Sequence, residues 1–318
     1  VSIIEKAASR IDRQRNAAAP ATLVSHIDAG AVHAAELDTP VLAKALHETP
    51  HTAPQLSGSP AATSAADAER AAAPKFTTRR IDLDLARMRE LGMVTAAAGR
   101  TPLLEDFRII KRPLLQRAFT ERAPGDNPGN LIMVTSSLPG EGKTYTAINL
   151  AMSIAMELDH TVLLVDADVA RPSVLRTLGL PNQRGLMDIL VDDKLDMADV
   201  MLRTNVDTLS ILPAGTSTPR ATELLASSTM STLVSEIANR YPDRIVIFDS
   251  PPLLLTSESR VLASHMGQIL MVVEAQTTTQ HAVKEALSQL EGMNNVNLIY
   301  NKTRDLPGIE ETYDYHYG

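Results

Sequence analysis

The chain has 318 residues, with 30 Lys and Arg against 38 Asp and Glu, a formal charge of −8 and an isoelectric point near 5.5. That length supports one or two domains with a sizeable core, and the acidic balance argues against nucleic acid as a partner. Cysteine is absent, which excludes disulfides, thiolate metal sites and a cysteine nucleophile, and fits a reducing, cytoplasmic setting.

Residues 1–15 place Ile3, Ile4, Ala7 and Ile11 on one stripe of a helix, with Glu5, Lys6, Asp12 and Arg13 elsewhere. An amphipathic docking helix is one reading of this segment, and a frayed terminus is the other. From 16 to 74, Ala, Pro, Ser, Thr and His dominate, and six prolines between Pro20 and Pro74 interrupt any period, which reads as a disordered linker. Beyond Lys75 the charge balance turns locally basic. Apolar residues at helical spacing over 81–91 and 103–119 predict a helical attachment or oligomerisation segment within 75–120.

Over 121–304 short apolar runs alternate with amphipathic stretches. Strands are predicted at 131–135, 162–166, 209–212, 245–249, 269–273 and 296–300, with helices notably at 144–158, 230–241 and 282–293. Continuous apolar strands separated by helices predict an α/β fold: a mostly parallel sheet of the P-loop NTPase type with helices on both faces. The apolar runs fall far short of the roughly 18 residues of a spanning helix, so membrane association is expected only through a partner. Residues 305–318, polar and rich in tyrosine and acid, read as an exposed tail.

Residues 131–144, LIMVTSSLPGEGKT, run from an apolar strand into a glycine-containing loop that ends in Lys143 and Thr144. A phosphate-binding loop needs glycines where backbone approaches phosphate, a lysine for the β and γ phosphates and a hydroxyl for Mg²⁺. Gly140, Gly142, Lys143 and Thr144 supply these, and the candidate nucleotide contacts also include Ser137, Pro139, Glu141 and Tyr145. Ser137 stands at the usual first glycine position. Two further strands end in acid: VLLVDAD places Asp166 and Asp168 past one, and IVIFDSPP places Asp249 past another. Side chains just beyond parallel strands converge on the ligand crevice, and carboxylates beside a triphosphate suit Mg²⁺, although a lone strand-terminal Asp also serves as a helix cap. Asn301, past the last strand, is either an adenine contact or a turn cap. The eight histidines show no metal-ligand spacing.

Taken in order, these residues resemble the cytoplasmic domain of bacterial tyrosine kinases, and most of all the tyrosine autokinases of exosortase-associated exopolysaccharide systems. The resemblance rests on the loop at 137–144, VLLVDADVARP at 162–172, IVIFDSPP at 245–252 and PRATELL at 219–225. Glu105-x-x-Arg108-x-x-Lys111, the tail YDYHYG and the opening SIIEKA reinforce it. Two positions depart from the family pattern: Ala170 stands where an arginine is common, with Arg171 following, and Lys111 replaces an arginine whose bidentate contacts lysine does not reproduce. The tyrosine cluster is also short.

The resemblance implies a protein-tyrosine autokinase with ATP and Mg²⁺ as cofactors. Lys143 would stabilise the transferred phosphate, with Thr144, Asp249 and Asp166 around the metal. Asp166 or Asp168 would face the incoming phenol, with Asp166 accepting its proton late. Tyr313, Tyr315 and Tyr317 would be phosphorylated in trans. Glu105, Arg108 and Lys111 would drive cyclic self-assembly, and a membrane polysaccharide chain-length determinant, or co-polymerase, would activate the enzyme at the inner face of the membrane. A phosphotyrosine phosphatase is a further expected partner. Two other functions compete: a partitioning or cell-division-type P-loop ATPase, whose signature lysine would fall at Leu138, and a weakly catalytic assembly scaffold.

Overall fold

The computed structural model describes residues 79–303 apart from 97, 98, 100, 122 and 242. The expected helix at 1–15, the linker at 16–74 and the tail at 305–318 lie outside the described residues.

The described chain opens with strand β1 (Arg79–Arg80) and helices α1 (Leu85–Glu90) and α2 (Pro102–Ala118). Thr101 caps α2, its hydroxyl accepting from Leu104 N, and Pro102 occupies the first turn, where its missing N–H costs nothing. Strand β2 (Leu131–Ser136) leads through the glycine loop into α3 (Lys143–Ala155), and β3 (Thr161–Asp166) follows. Short helices α4 (Val174–Thr177), α5 (Leu186–Val191) and α6 (Met197–Val200) precede β4 (Leu202–Arg203) and β5 (Leu209–Leu212). The remainder alternates: α7 (Ala221–Leu225), α8 (Ser228–Arg240), β6 (Arg244–Asp249), α9 (Glu258–Ala263), β7 (Gln268–Glu274), α10 (Gln280–Ser288) and β8 (Val296–Asn301).

The strands form one eight-stranded sheet in the order β1-β4-β5-β3-β6-β2-β7-β8. The six from β5 to β8 are mutually parallel, whereas β4 runs antiparallel to β5 and carries β1 at the edge. Alternation within each strand divides the core between the two faces. Leu131, Met133, Leu163 and Val165 point to one side with α5 and α8; Ile132, Val134, Val162 and Leu164 point to the other with α2 and α3. Helix α3 is apolar almost all round, from Ala147 to Ala155, because α2 covers the side that the sheet does not. Fully burying each large aliphatic side chain stabilises by about 1.5–3 kcal/mol, so β2, β3, β6 and α3 make a stiff frame. No helix among the described residues is long and apolar enough to cross a membrane.

Strand order sets the site. β6 lies between β3 and β2, so Asp166 ends one strand beside Asp249 on the next, in register, and the glycine loop leaves the third.

Candidate active site

The loop after β2 is shaped by two glycines with positive φ, Gly140 (+87°) and Gly142 (+99°). A Cβ at Gly142 would meet the side-chain amide of Asn301, and the left-handed torsion favours glycine there. Glu141 is only 2 % exposed. Its carboxylate accepts from Leu138 N at 2.6 Å and from the hydroxyl of Thr278, tying the loop to the end of β7. Helix α3 begins at Lys143, and its unpaired N–H groups and dipole favour an anion at this end.

Lys143 Nζ lies 2.7 Å from Asp168 Oδ2 and 3.9 Å from Asp249 Oδ1. The Thr144 hydroxyl donates to Asp249 Oδ2 at 2.7 Å and meets Ser173 Oγ at 2.7 Å. Asp166 Oδ2 accepts two backbone N–H groups, from Ser173 at 3.0 Å and Val174 at 2.9 Å. Burial pushes the Asp166 carboxyl up to about 7, with Asp249 adding to the rise and the two N–H donors opposing it. Burial likewise lifts Asp249 to about 6, outweighing the opposing pull of Lys143 and the Thr144 hydroxyl.

The remaining oxygens, Asp166 Oδ1 and Asp249 Oδ1, are buried without a hydrogen-bond partner. Hard, unsatisfied carboxylate oxygens beside the Thr144 hydroxyl fit Mg²⁺, which binds through one or two carboxylates and takes its other ligands from water and phosphate. No set of three or more His, Cys, Asp or Glu among the described residues forms a ready metal cage, so phosphate or water must complete any such site.

A cleft of about 520 Å³ opens over the loop, lined by Pro139, Gly140, Gly142, Lys143, Thr144 and Tyr145, and across from them by Asp168, Arg171, Arg176 and Leu255. Asp168 lines this cleft, whereas Asp166 sits beneath it, 1 % exposed. Ser137 lies fully buried at the root of the loop. Tyr145 donates its hydroxyl to Gly92 O at 2.5 Å, which ties the start of α3 to the segment after α1. The Asn301 amide nitrogen donates to Glu141 O at 2.9 Å, as a turn cap does. Ser173 escaped the sequence reading although it touches Thr144 and donates to Asp166; its only signal was its place directly after VLLVDADVARP.

Away from the cleft, Glu105 and Arg108 form an exposed ion pair of 3.0 Å on α2, beside Ile109, which is 65 % exposed. Lys111 does not share that surface. It is 5 % exposed, donates to Ser153 O at 2.6 Å and pairs with Glu157 at 2.5 Å, inside the contact between α2 and α3. Tyr313, Tyr315 and Tyr317 lie outside the described residues.

A parallel sheet with a glycine loop feeding the N-terminus of a helix, and acids at the ends of the two neighbouring strands, defines a P-loop nucleotide-binding protein. A family model described as an AAA domain matches residues 129–314. The chain is 35% identical over 175 residues to the tyrosine-protein kinase YwqD of Bacillus subtilis, covering 54% of this chain and 72% of that protein. It is 29% identical over 178 residues to the tyrosine-protein kinase CpsD of Streptococcus agalactiae, covering 55% of this chain and 76% of CpsD. Among solved structures, the kinase domain of VpsO superposes with a TM-score of 0.55 at 28% identity, over 69% of this chain and 98% of VpsO's. The chain therefore belongs to the AAA-domain family and, within it, to the bacterial tyrosine-protein kinases. It is a protein-tyrosine kinase.

Proposed function

We propose that the chain is an ATP- and Mg²⁺-dependent autokinase that phosphorylates Tyr313, Tyr315 and Tyr317 of a second copy of itself, and that this regulates exopolysaccharide synthesis or export. The observation that carries the reading is the pair of buried, unsatisfied carboxylate oxygens of Asp166 and Asp249 beside Lys143 and Thr144. Phosphoryl transfer is catalysed by positioning and charge neutralisation, and this cluster supplies both. Thr144 and Asp249 would hold Mg²⁺ directly or through water, with Asp166 behind them, and the ion would neutralise charge on the phosphate oxygens.

The residues divide the remaining work. Gly140, Glu141 and Gly142 present backbone N–H groups to phosphate oxygens. Lys143, paired with Asp168 at 2.7 Å, would turn to the triphosphate by giving up that ion pair. That turn frees an Asp168 oxygen at the wall of the cleft to accept a hydrogen bond from the incoming phenol. The acceptor-facing role thus falls to Asp168. Asp166, whose Oδ2 is tied to the backbone of Ser173 and Val174, holds the floor of the site. Replacing Asp168 with Asn should lower phosphotransfer by about 10²-fold, the usual scale for a positioned acid or base, with nucleotide affinity nearly unchanged. Equal losses in Asp168→Asn and in nucleotide affinity would place the residue on the nucleotide side instead.

From Asn301 to Tyr313 the chain spans on the order of 40 Å when extended, enough to enter a neighbouring subunit. The Glu105–Arg108 surface of α2, with the exposed Ile109 beside it, is the proposed assembly face, and a cyclic ring is the proposed arrangement. Lys111 contributes indirectly, by fixing α2 on α3. A membrane chain-length determinant of the polysaccharide machinery is the proposed activator, placing the kinase at the inner face of the membrane, and a phosphotyrosine phosphatase would reset the tail.

Incubation of the purified full chain with ATP, Mg²⁺ and the activator, followed by mass spectrometry, tests the reading. Phosphotyrosine at residues 313, 315 and 317 is the expected result. Phosphate release without phosphotyrosine would point to a switch ATPase, and neither product to a scaffold.

A further inference from the structure

We propose that Lys302, together with Asn301, is a positioning residue of the nucleotide site, acting through the outward carbonyls of the P-loop to strengthen the amide donors that face phosphate. Lys302 Nζ donates to Gly140 O at 2.8 Å, and Asn301 Nδ2 donates to Glu141 O at 2.9 Å. Two consecutive side chains thus hold two consecutive carbonyls of the loop.

Gly140 O belongs to the same planar peptide unit as the N–H of Glu141, and Glu141 O to the same unit as the N–H of Gly142. In a trans peptide the carbonyl and the N–H point in opposite directions. A donor fixed on each oxygen from outside therefore turns the paired N–H toward the phosphate side. It also draws electron density toward that oxygen, which makes the N–H a stronger donor to an anion. The Lys302 bond is the stronger of the two because its donor is charged.

The backbone at this contact is uncommon. Lys302 has φ +57°, a left-handed conformation that side-chain-bearing residues rarely adopt, directly at the end of β8. Its ammonium is also paired with Glu274 Oε2 at 2.9 Å, at the end of the neighbouring β7. The carboxylate of Glu141 reaches the same region from the loop, through Thr278 and Glu274 N. The ends of β7 and β8 thus grip the loop by its carbonyls and by its one buried acid. Both bonds are made to carbonyls of the phosphate loop, so their effect should grow with the phosphate charge of the ligand.

The inference rests on the nucleotide site alone and not on the acceptor reading of the tail, so its test uses nucleotide binding rather than phosphotyrosine. Affinities for ATP, ADP, AMP and adenosine are measured by displacement of a fluorescent ATP analogue from the full chain, in parallel with nucleotide-free Tm. In Lys302→Met, ATP and ADP should bind about tenfold more weakly, the scale of losing one charge-assisted contact attenuated through a peptide unit, with adenosine within about twofold. Lys302→Arg, which keeps charge and donor, should recover most of the loss, and Asn301→Ala should reproduce a smaller version of it. In steady-state phosphotransfer, KM for ATP should rise while kcat changes little. Two results would overturn the proposal: equal weakening of ATP and adenosine with a lowered Tm, which marks a role confined to the fold, or unchanged ATP affinity in Lys302→Met. Failure to detect tail phosphorylation would leave these affinities, and the inference, standing.

Discussion

Asp166 and Asp249 are the residues on which nucleotide-free stability and function pull against each other. Both carboxyls are buried at the ends of adjacent strands, each with one oxygen unsatisfied. In an unfolded chain they titrate near 4, whereas in the fold they titrate at about 7 and about 6. Between those values the folded protein holds more protons than the unfolded chain. The stability these groups contribute is therefore fully present below about pH 4 and is lost as pH rises through 6 and 7. Asn at 166 can still accept from Ser173 and Val174 without bringing a charge. Asp166→Asn should raise the nucleotide-free stability at pH 8 by about 1–2 kcal/mol and flatten its dependence on pH, read by urea unfolding across pH 5–8. A steeper dependence in the variant would place the pH-sensitive charge elsewhere. The same variant should lose phosphotransfer, since the oxygen environment proposed for Mg²⁺ is weakened.

At the level of elements, five of the parallel strands were legible in the sequence because each is an apolar run of four to seven residues between polar loops, buried on both faces, whereas β8, VNLIYN, lies partly exposed at the sheet edge and was legible from its alternating apolar residues. β1 and β4 were not, since two residues carry no period, and β4 is defined by its pairing to β5 on one side and β1 on the other. The three aspartates could be placed near the loop from strand ends alone. Their separate stations could not, because only packing decides that Asp168 lines the cleft while Asp166 lies under it. Lys111 shows the same limit. Spacing puts it in line with Glu105 and Arg108, yet the turn of α2 carries it inward, where its stem packs and its ammonium finds Ser153 O. Lys111→Met should thus cost about 1–3 kcal/mol by leaving a buried carbonyl and Glu157 without their partner, measured by urea unfolding. Arg108→Glu should leave stability within about 0.5 kcal/mol, because an exposed i,i+3 pair is worth little, while lowering the assembled mass in light scattering. If Lys111→Met unfolds at the parent midpoint, the contact between α2 and α3 is weaker than its geometry implies. Unchanged mass in Arg108→Glu would remove this face of α2 from the assembly.

On the scale of the whole molecule, the site and the proposed acceptors sit close along the chain's path. β8 ends beside the P-loop, at Asn301 and Lys302, and Tyr313, Tyr315 and Tyr317 follow within the last residues of the sequence. Each phosphate would add about −1.5 to −2 charge next to Glu310, Glu311 and Asp314, and so loosen an assembly that docks the unmodified tail. The most direct test of the account mixes two full-length variants in the presence of ATP, Mg²⁺ and the activator. One carries Lys143→Met and cannot position the triphosphate; the other carries Tyr313→Phe, Tyr315→Phe and Tyr317→Phe and offers no acceptor in its own tail. The account predicts phosphotyrosine on residues 313, 315 and 317 of the Lys143→Met chain, at a rate that rises with the concentration of its partner. Absence of phosphate from that tail, with the parent protein phosphorylated under the same conditions, would contradict transfer between copies.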